Sequence, residues 1–230
     1  MTYSNSDLWR AEGLDELRRQ LVSLTLVTAD ADHVALRSVV GWNARGGARR
    51  ATHILLITVT RAGDVILENE ASVRCDAAPS LPRVGLSLTL DRSIEQACWY
   101  GLGPQENYPD RCTGATVSQY RMRVDELSTP YIVPSENGQR GGTRWLELTD
   151  LKGRGLWVGG SAPFGFSAGR SSLKALEAAT HTNEASDVRL EYMWSASYLL
   201  PTQLLPRHRR HRRHRRHCSH RSHRSHRSHR

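Results

Sequence analysis

The feature that most constrains this chain is a succession of short apolar, β-branched or alternating runs separated by turn-forming residues. Such runs occupy positions 21–28, 34–40, 53–60, 65–71, 84–90 and 94–100, and later 143–149, 155–158 and 164–168. Period-2 patterning at this spacing specifies strands, and strands in this number must pair edge to edge and bury one face. The expected class is all-β, an antiparallel β-sandwich. Arg61-Ala62-Gly63-Asp64 reads as a hairpin turn between two of the runs. Two windows read as helical, 14–21 and 171–182, the second with Leu173, Leu176 and Ala179 on one face. Gly159-Gly160-Ser161-Ala162 reads as a turn; it lacks the Gly-Lys-Ser/Thr ending of a phosphate loop. Residues 100–142, with Pro104, Pro109, Pro130 and Pro134, read as loop-rich. Loops of that length are usually functional or packed by their own side chains.

The net charge of +9 belongs to one end of the chain. Residues 207–230 hold 11 Arg, 8 His and no acid, in His-Arg-Arg and then Ser-His-Arg repeats. Removing those 11 from the 32 basic residues leaves 21 against 23 acidic ones in the rest. The expected organisation is therefore a near-neutral β domain over 1–200 and a basic tail over 201–230. Its repeat over 207–230 has no apolar residue but Cys218 to offset the entropy of ordering, so the tail is expected to be disordered. Eleven arginines would attract nucleic acid, but only non-specifically and in a salt-dependent way, since no aromatics are interleaved. No apolar run approaches the about 18 residues of a membrane span, and the first residues are not those of a secretory signal. Cys75, Cys98, Cys112 and Cys218 show neither zinc nor disulfide spacing. The expectation is a cytoplasmic protein with no membrane partner.

The loop-rich stretch carries the most specific residues. Gly101-Leu102-Gly103-Pro104-Gln105-Glu106-Asn107-Tyr108-Pro109-Asp110-Arg111 resembles a motif of the C-terminal, small-chain domain of family-2 β-galactosidases. Tyr131-Ile132-Val133-Pro134-Ser135-Glu136-Asn137-Gly138 resembles a second, and Arg144-Trp145-Leu146-Glu147-Leu148 follows as in that family. Trp9, Gly13-Leu14-Asp15, Pro82-Arg83-Val84-Gly85-Leu86, Pro163-Phe164, Phe166-Ser167-Ala168 and Ala178-Ala179-Thr180-His181-Thr182 extend the likeness over 9–184 in family order. The resemblance implies an antiparallel β supersandwich related to galactose mutarotases. Against the family pattern the domain reads as incomplete at both ends. The family's opening WRAPTDND segment and its closing MGxGGDDSW motif have no counterpart, and Trp194 lacks the glycines and aspartates that would give it the pocket role. Loss of likeness after Glu184 followed by a triplet repeat reads as a frameshift, an altered splice product or a misdrawn gene model.

The family hydrolyses terminal β-galactosides, often with magnesium and sodium ions, but its catalytic glutamates belong to a separate barrel domain. The resemblance therefore implies no catalytic residue, metal or cofactor in this chain. It implies a scaffold and pocket wall, inactive alone, partnered by a barrel-containing large chain and by galactosides. Glu106, Asp110 and Glu136 remain weak substrate-binding candidates; in Pro/Asn/Gly-rich turns such carboxylates more often accept backbone and arginine hydrogen bonds. Arg111, Arg140 and Arg144 are the candidate partners. A second reading is a carbohydrate-binding or mutarotase-like protein, for which a histidine and a carboxylate would move protons. Outside the tail only His33, His53 and His181 are available. Trp99, Trp145 and Trp157 could stack on sugars, although their place in strand patterns favours the core.

Overall fold

The computed structural model of the chain describes residues 4–74, 81, 83–181 and 190–195. The first element is a helix that periodicity does not announce, α1 (Asn5–Ala11). Its signal is Ser4-Asn5-Ser6-Asp7: the Ser4 hydroxyl accepts from the Asp7 N–H, and the Asp7 carboxylate accepts from the Ser4 N–H. That reciprocal cap satisfies donors the first turn would otherwise waste. The helix expected at 14–21 shrinks to a 3-10 turn at Leu14–Glu16, because Arg18 already enters a strand. The β-branched content beyond it and pairing with the next strand override a short helical pattern.

Ten strands follow among the described residues: β1 (Arg18–Ala29), β2 (His33–Asn43), β3 (Arg49–Thr60), β4 (Val65–Val73), β5 (Gly85–Leu90), β6 (Gln96–Gly103), β7 (Thr116–Arg123), β8 (Arg140–Thr149), β9 (Gly155–Gly169) and β10 (Leu190–Ser195). They form two antiparallel sheets, one ordered β1-β2-β3-β4 and the other β5-β10-β9-β8-β6-β7. The all-β class is as expected, and so is the turn at Arg61–Asp64. There Gly63 adopts φ 95° and Thr60 N–H reaches the Asp64 carbonyl at 2.9 Å. The short helix α2 (Leu173–Ala178) is capped by the Ser172 hydroxyl and stops where Ala179 turns extended, well inside the expected 171–182.

Three differences correct the sequence reading. Gly159-Gly160-Ser161-Ala162 is not a turn; it runs through the middle of β9, which joins the two separate runs expected at 155–158 and 164–168. Register shifts between β8 and β9 at Arg140–Thr143 and Thr143–Trp145 absorb the irregularity instead. The loop-rich stretch conceals β7, whose Gln119-Tyr120-Arg121-Met122-Arg123 alternation turns Tyr120 and Met122 toward the core. β10 fills the gap between β5 and β9, from a segment where no strand was expected. The tail over 201–230, and with it the 200/201 boundary, lies outside the described residues.

The core sits against one face of the six-stranded sheet. Trp99, Leu146, Leu148, Phe164 and Phe166 pack there with Ile94, Val124 and Leu127. Trp99 is wholly buried; its indole N–H donates to the Leu102 carbonyl at 3.0 Å, and Phe166 meets it edge-on at 5.6 Å. The four-stranded sheet meets this layer along a groove lined by Trp42, His53 and Ala71 on one side and Val84, Leu86 and Phe164 on the other.

Candidate functional site

The loop that follows β6 and the loop that precedes β8 fold onto each other, so the two family-like motifs form one constellation. Asn107 is the pin between them. It is almost wholly buried, its N–H donates to the Gln139 carbonyl at 2.8 Å, and its side-chain oxygen accepts from Gly141 N–H at 2.8 Å. Asn137 does the same locally, accepting from Thr129 N–H at 3.0 Å and donating to the Ser135 carbonyl at 2.9 Å. Asparagine suits both positions because one side chain supplies donor and acceptor together.

Glu106 lies at the centre. It accepts from the Tyr131 hydroxyl, from Gly138 N–H at 2.7 Å and from Arg111 at 2.7 Å. Arg111 also donates to Tyr131 and lies 5.3 Å from the centre of the Tyr108 ring. Burial pushes the Glu106 carboxyl up, but these donors outweigh it, and the net shift is downward. A glycosidase general acid needs the opposite, a carboxyl held protonated. Glu136 pairs with Arg83, and Asp110 is exposed at the turn closed by the Tyr108–Arg111 bridge. The three carboxylates are thus separated into two arginine-held positions and one solvated one.

Arg140 does something the sequence did not indicate. Only 2% exposed, it donates to the carbonyls of Pro104, Leu127 and Gly138 at 2.7–3.2 Å, and its guanidinium lies 5.7 Å from the centre of a Trp99 ring. Desolvation pushes its pKa down to about 10, with the nearby Glu106 charge opposing. Arg140 is therefore a staple for loop carbonyls rather than a carboxylate partner. Gly138 makes the crossing possible: φ is 76°, and a Cβ there would meet the Leu127 carbonyl oxygen at 2.7 Å. Arg144, the third candidate partner, instead stacks 5.2 Å from the centre of the Tyr100 ring. Arg83 and Tyr131 are the partners that sequence reasoning missed, and no local signal links them to their carboxylates.

The remaining candidates are not gathered together. His33 sits beside Asp30 at 3.2 Å at the start of β2, His53 beside Asn69 at 2.9 Å within β3, and His181 beside Thr180 at 3.0 Å after α2. Of the tryptophans, Trp99 is core, as strand patterning favoured, Trp145 is half-buried, and Trp157 is 61% exposed. Among the described residues no group of three or more His, Cys, Asp or Glu is placed to hold a metal ion. No helix among them is long and apolar enough to cross a membrane.

Two antiparallel sheets, the larger of which carries Asn- and Arg-pinned loops that cradle an anchored carboxylate, define an all-β domain with no barrel among the described residues. The family described as Beta galactosidase small chain matches residues 2–197, and the chain belongs to that family. The match continues beyond Glu184, where the motif-by-motif likeness stopped. Among curated proteins the chain is 39% identical over 177 residues to a β-galactosidase of Vibrio cholerae serotype O1, covering 76% of this chain and 16% of that protein. It is 35% identical over 182 residues to one from Erwinia tasmaniensis (79% and 17%), and 30% identical over 220 residues to one from Vibrio vulnificus (88% and 20%). The chain therefore spans between a sixth and a fifth of the length of these relatives.

Proposed function

We propose that this chain acts as the non-barrel, small-chain part of a β-galactosidase, giving scaffold, pocket wall and subunit contacts to a larger barrel-bearing polypeptide. The parent reaction would be hydrolysis of terminal β-galactosides, with acid and nucleophile supplied by that larger part. One observation carries the reading: beyond the groove, the distal half of the four-stranded sheet's apolar face is uncovered, with Leu24, Leu26 and Val65 each more than half exposed. By strand register these residues share one face with Leu36, Ile57 and Leu67. A patch of this kind marks a contact surface. Its occupant is the rest of the parent enzyme, because the matched stretch makes up only 16–20% of the relatives' length. The anchoring of Glu106 by Tyr131, Gly138 and Arg111 supports a structural role for the motif carboxylates. The magnesium and sodium ions associated with the family are assigned to the larger part, and the compartment is the cytoplasm, where Cys98 and Cys112 stay as thiols.

The test uses the full chain and, as partner, the Vibrio cholerae relative lacking the 177-residue stretch that this chain matches. The chain alone should leave an aryl β-galactoside intact. It should bind the shortened relative, and Leu26→Glu should weaken that complex while Thr25→Glu on the opposite face should not. Strong hydrolysis by the chain alone would overturn the reading and return Glu106, Asp110 and Glu136 to the catalytic candidates.

A further inference from the structure

The outer face of the six-stranded sheet, opposite the core, carries a row of aromatic rings that stand outside the core cluster. Tyr100 on β6 pairs directly with Trp145 on β8, and Trp145 pairs with Gly159 on β9. The indole of Trp157 is laid along its own strand over Gly159, where any Cβ would collide with it. That is the reason for a glycine in mid-strand: it makes room for the far edge of a large ring. Tyr100, Trp145 and Trp157 thus form a line across three strands, about 10 Å at the usual interstrand spacing. Trp157 is 61% and Tyr100 38% exposed.

Polar side chains frame the line. The exposed Arg144 guanidinium sits over Tyr100, and Gln119 on β7 is the cross-strand partner of Tyr100. In the next register Glu147 pairs with Trp157, and Arg121 with Cys98. Flat rings edged by hydrogen-bonding groups match a pyranose, which offers one C–H-rich face for stacking and hydroxyls around its rim. The apolar patch of the four-stranded sheet differs: its exposed members, Leu24, Leu26 and Val65, bring no aromatic ring, which suits a protein cover. We infer that Tyr100, Trp145 and Trp157 form a non-catalytic platform for a neutral, extended oligosaccharide of about two pyranose rings, with Arg144 and Glu147 contacting its hydroxyls. The inference concerns the surface of this chain alone and does not depend on its role in a parent enzyme.

The test titrates the full chain with lactose, cellobiose and maltose, reading tryptophan emission and methyl and amide NMR shifts, with glycerol as the non-stacking control. A saturable response to at least one disaccharide and none to glycerol is expected. Trp157→Ala should weaken that binding about tenfold or more, because a stacking anchor is removed. Gly159→Ala should produce a similar loss by lifting the indole, with the melting temperature recorded to show that the sheet persists. Glu147→Gln should weaken binding less than either. A response equal to that of glycerol, or full binding by Trp157→Ala, would overturn the inference. So would an unresponsive chain whose Trp157→Ala variant instead loses association with the shortened Vibrio cholerae relative; that result would reassign the row to a protein contact.

Discussion

The two sheets are made from similar strands, yet they end in opposite environments. In the six-stranded sheet, Trp99, Leu146, Leu148, Phe164 and Phe166 are each at most 2% exposed. In the four-stranded sheet, Leu21, Leu24 and Leu26 of β1 are all more than half exposed. The cause is what crosses each face. The segment between β7 and β8 folds back over the larger sheet, placing Val124 and Leu127 on the core and pinning itself through Arg140 and Asn107. No described segment does this for the distal half of the smaller sheet. Alternating apolar residues therefore specify a strand, while burial is conferred by a second layer from elsewhere.

That contrast can be broken experimentally, starting with the largest effect. Trp99→Ala removes the central ring of the covered sheet and should destabilise the chain by about 3–5 kcal/mol in urea unfolding. A loss no greater than that of a surface substitution would show that the core does not hold the fold. Arg140→Met should cost about 3 kcal/mol, because the carbonyls of Pro104, Leu127 and Gly138 lose a charged donor inside the protein. Its unfolding should also expose 124–139 to protease before the sheets separate.

A smaller effect is expected at Glu106. Glu106→Gln should cost about 1–2 kcal/mol near neutral pH through weakened bonds to Tyr131, Gly138 and Arg111. Since the folded carboxyl titrates below its unfolded value of about 4.3, its contribution is complete above that pH. The contribution is lost as pH falls through the depressed folded value. The stability difference between the parent chain and the Glu106→Gln variant should therefore close in acid, and a gap that persists there would point to a steric origin. The smallest effect tests the other sheet. Leu26→Thr should change the stability of the isolated chain by less than about 0.5 kcal/mol while reducing binding of a hydrophobic dye. A large destabilisation would mean that this face is already covered.

Particular residues show how much of this was legible in advance. The Gly63 turn and the runs leading into β1–β6 followed from side-chain period and turn chemistry alone. β7 was equally readable from Tyr120 and Met122, but the prolines around it are the ordinary signature of loops. α1 was announced only by its cap, Ser4 and Asp7. The Gly159-Gly160 pair misled because glycine is permitted in turns and also wherever a ring must lie against a strand, and only the position of Trp157 distinguishes the two. The family was legible from the motif residues. Their work was not, since Glu106 meets Tyr131 and Gly138 across 25 and 32 residues, and Arg140 reaches Pro104 across 36.

By itself the sequence determined the all-β class, the family and the concentration of positive charge in the last 24 residues. The class and the charge depend on composition and on periodicities only a few residues long, and the family on the motif residues that resemble it, all of which the chain displays before it folds. Tertiary structure alone decided which sheet is covered, which arginine meets which carboxylate, and that Trp99 is core while Trp157 faces solvent. Those outcomes depend on which distant segment closes over a face, and side-chain alternation is the same on a covered strand and a bare one.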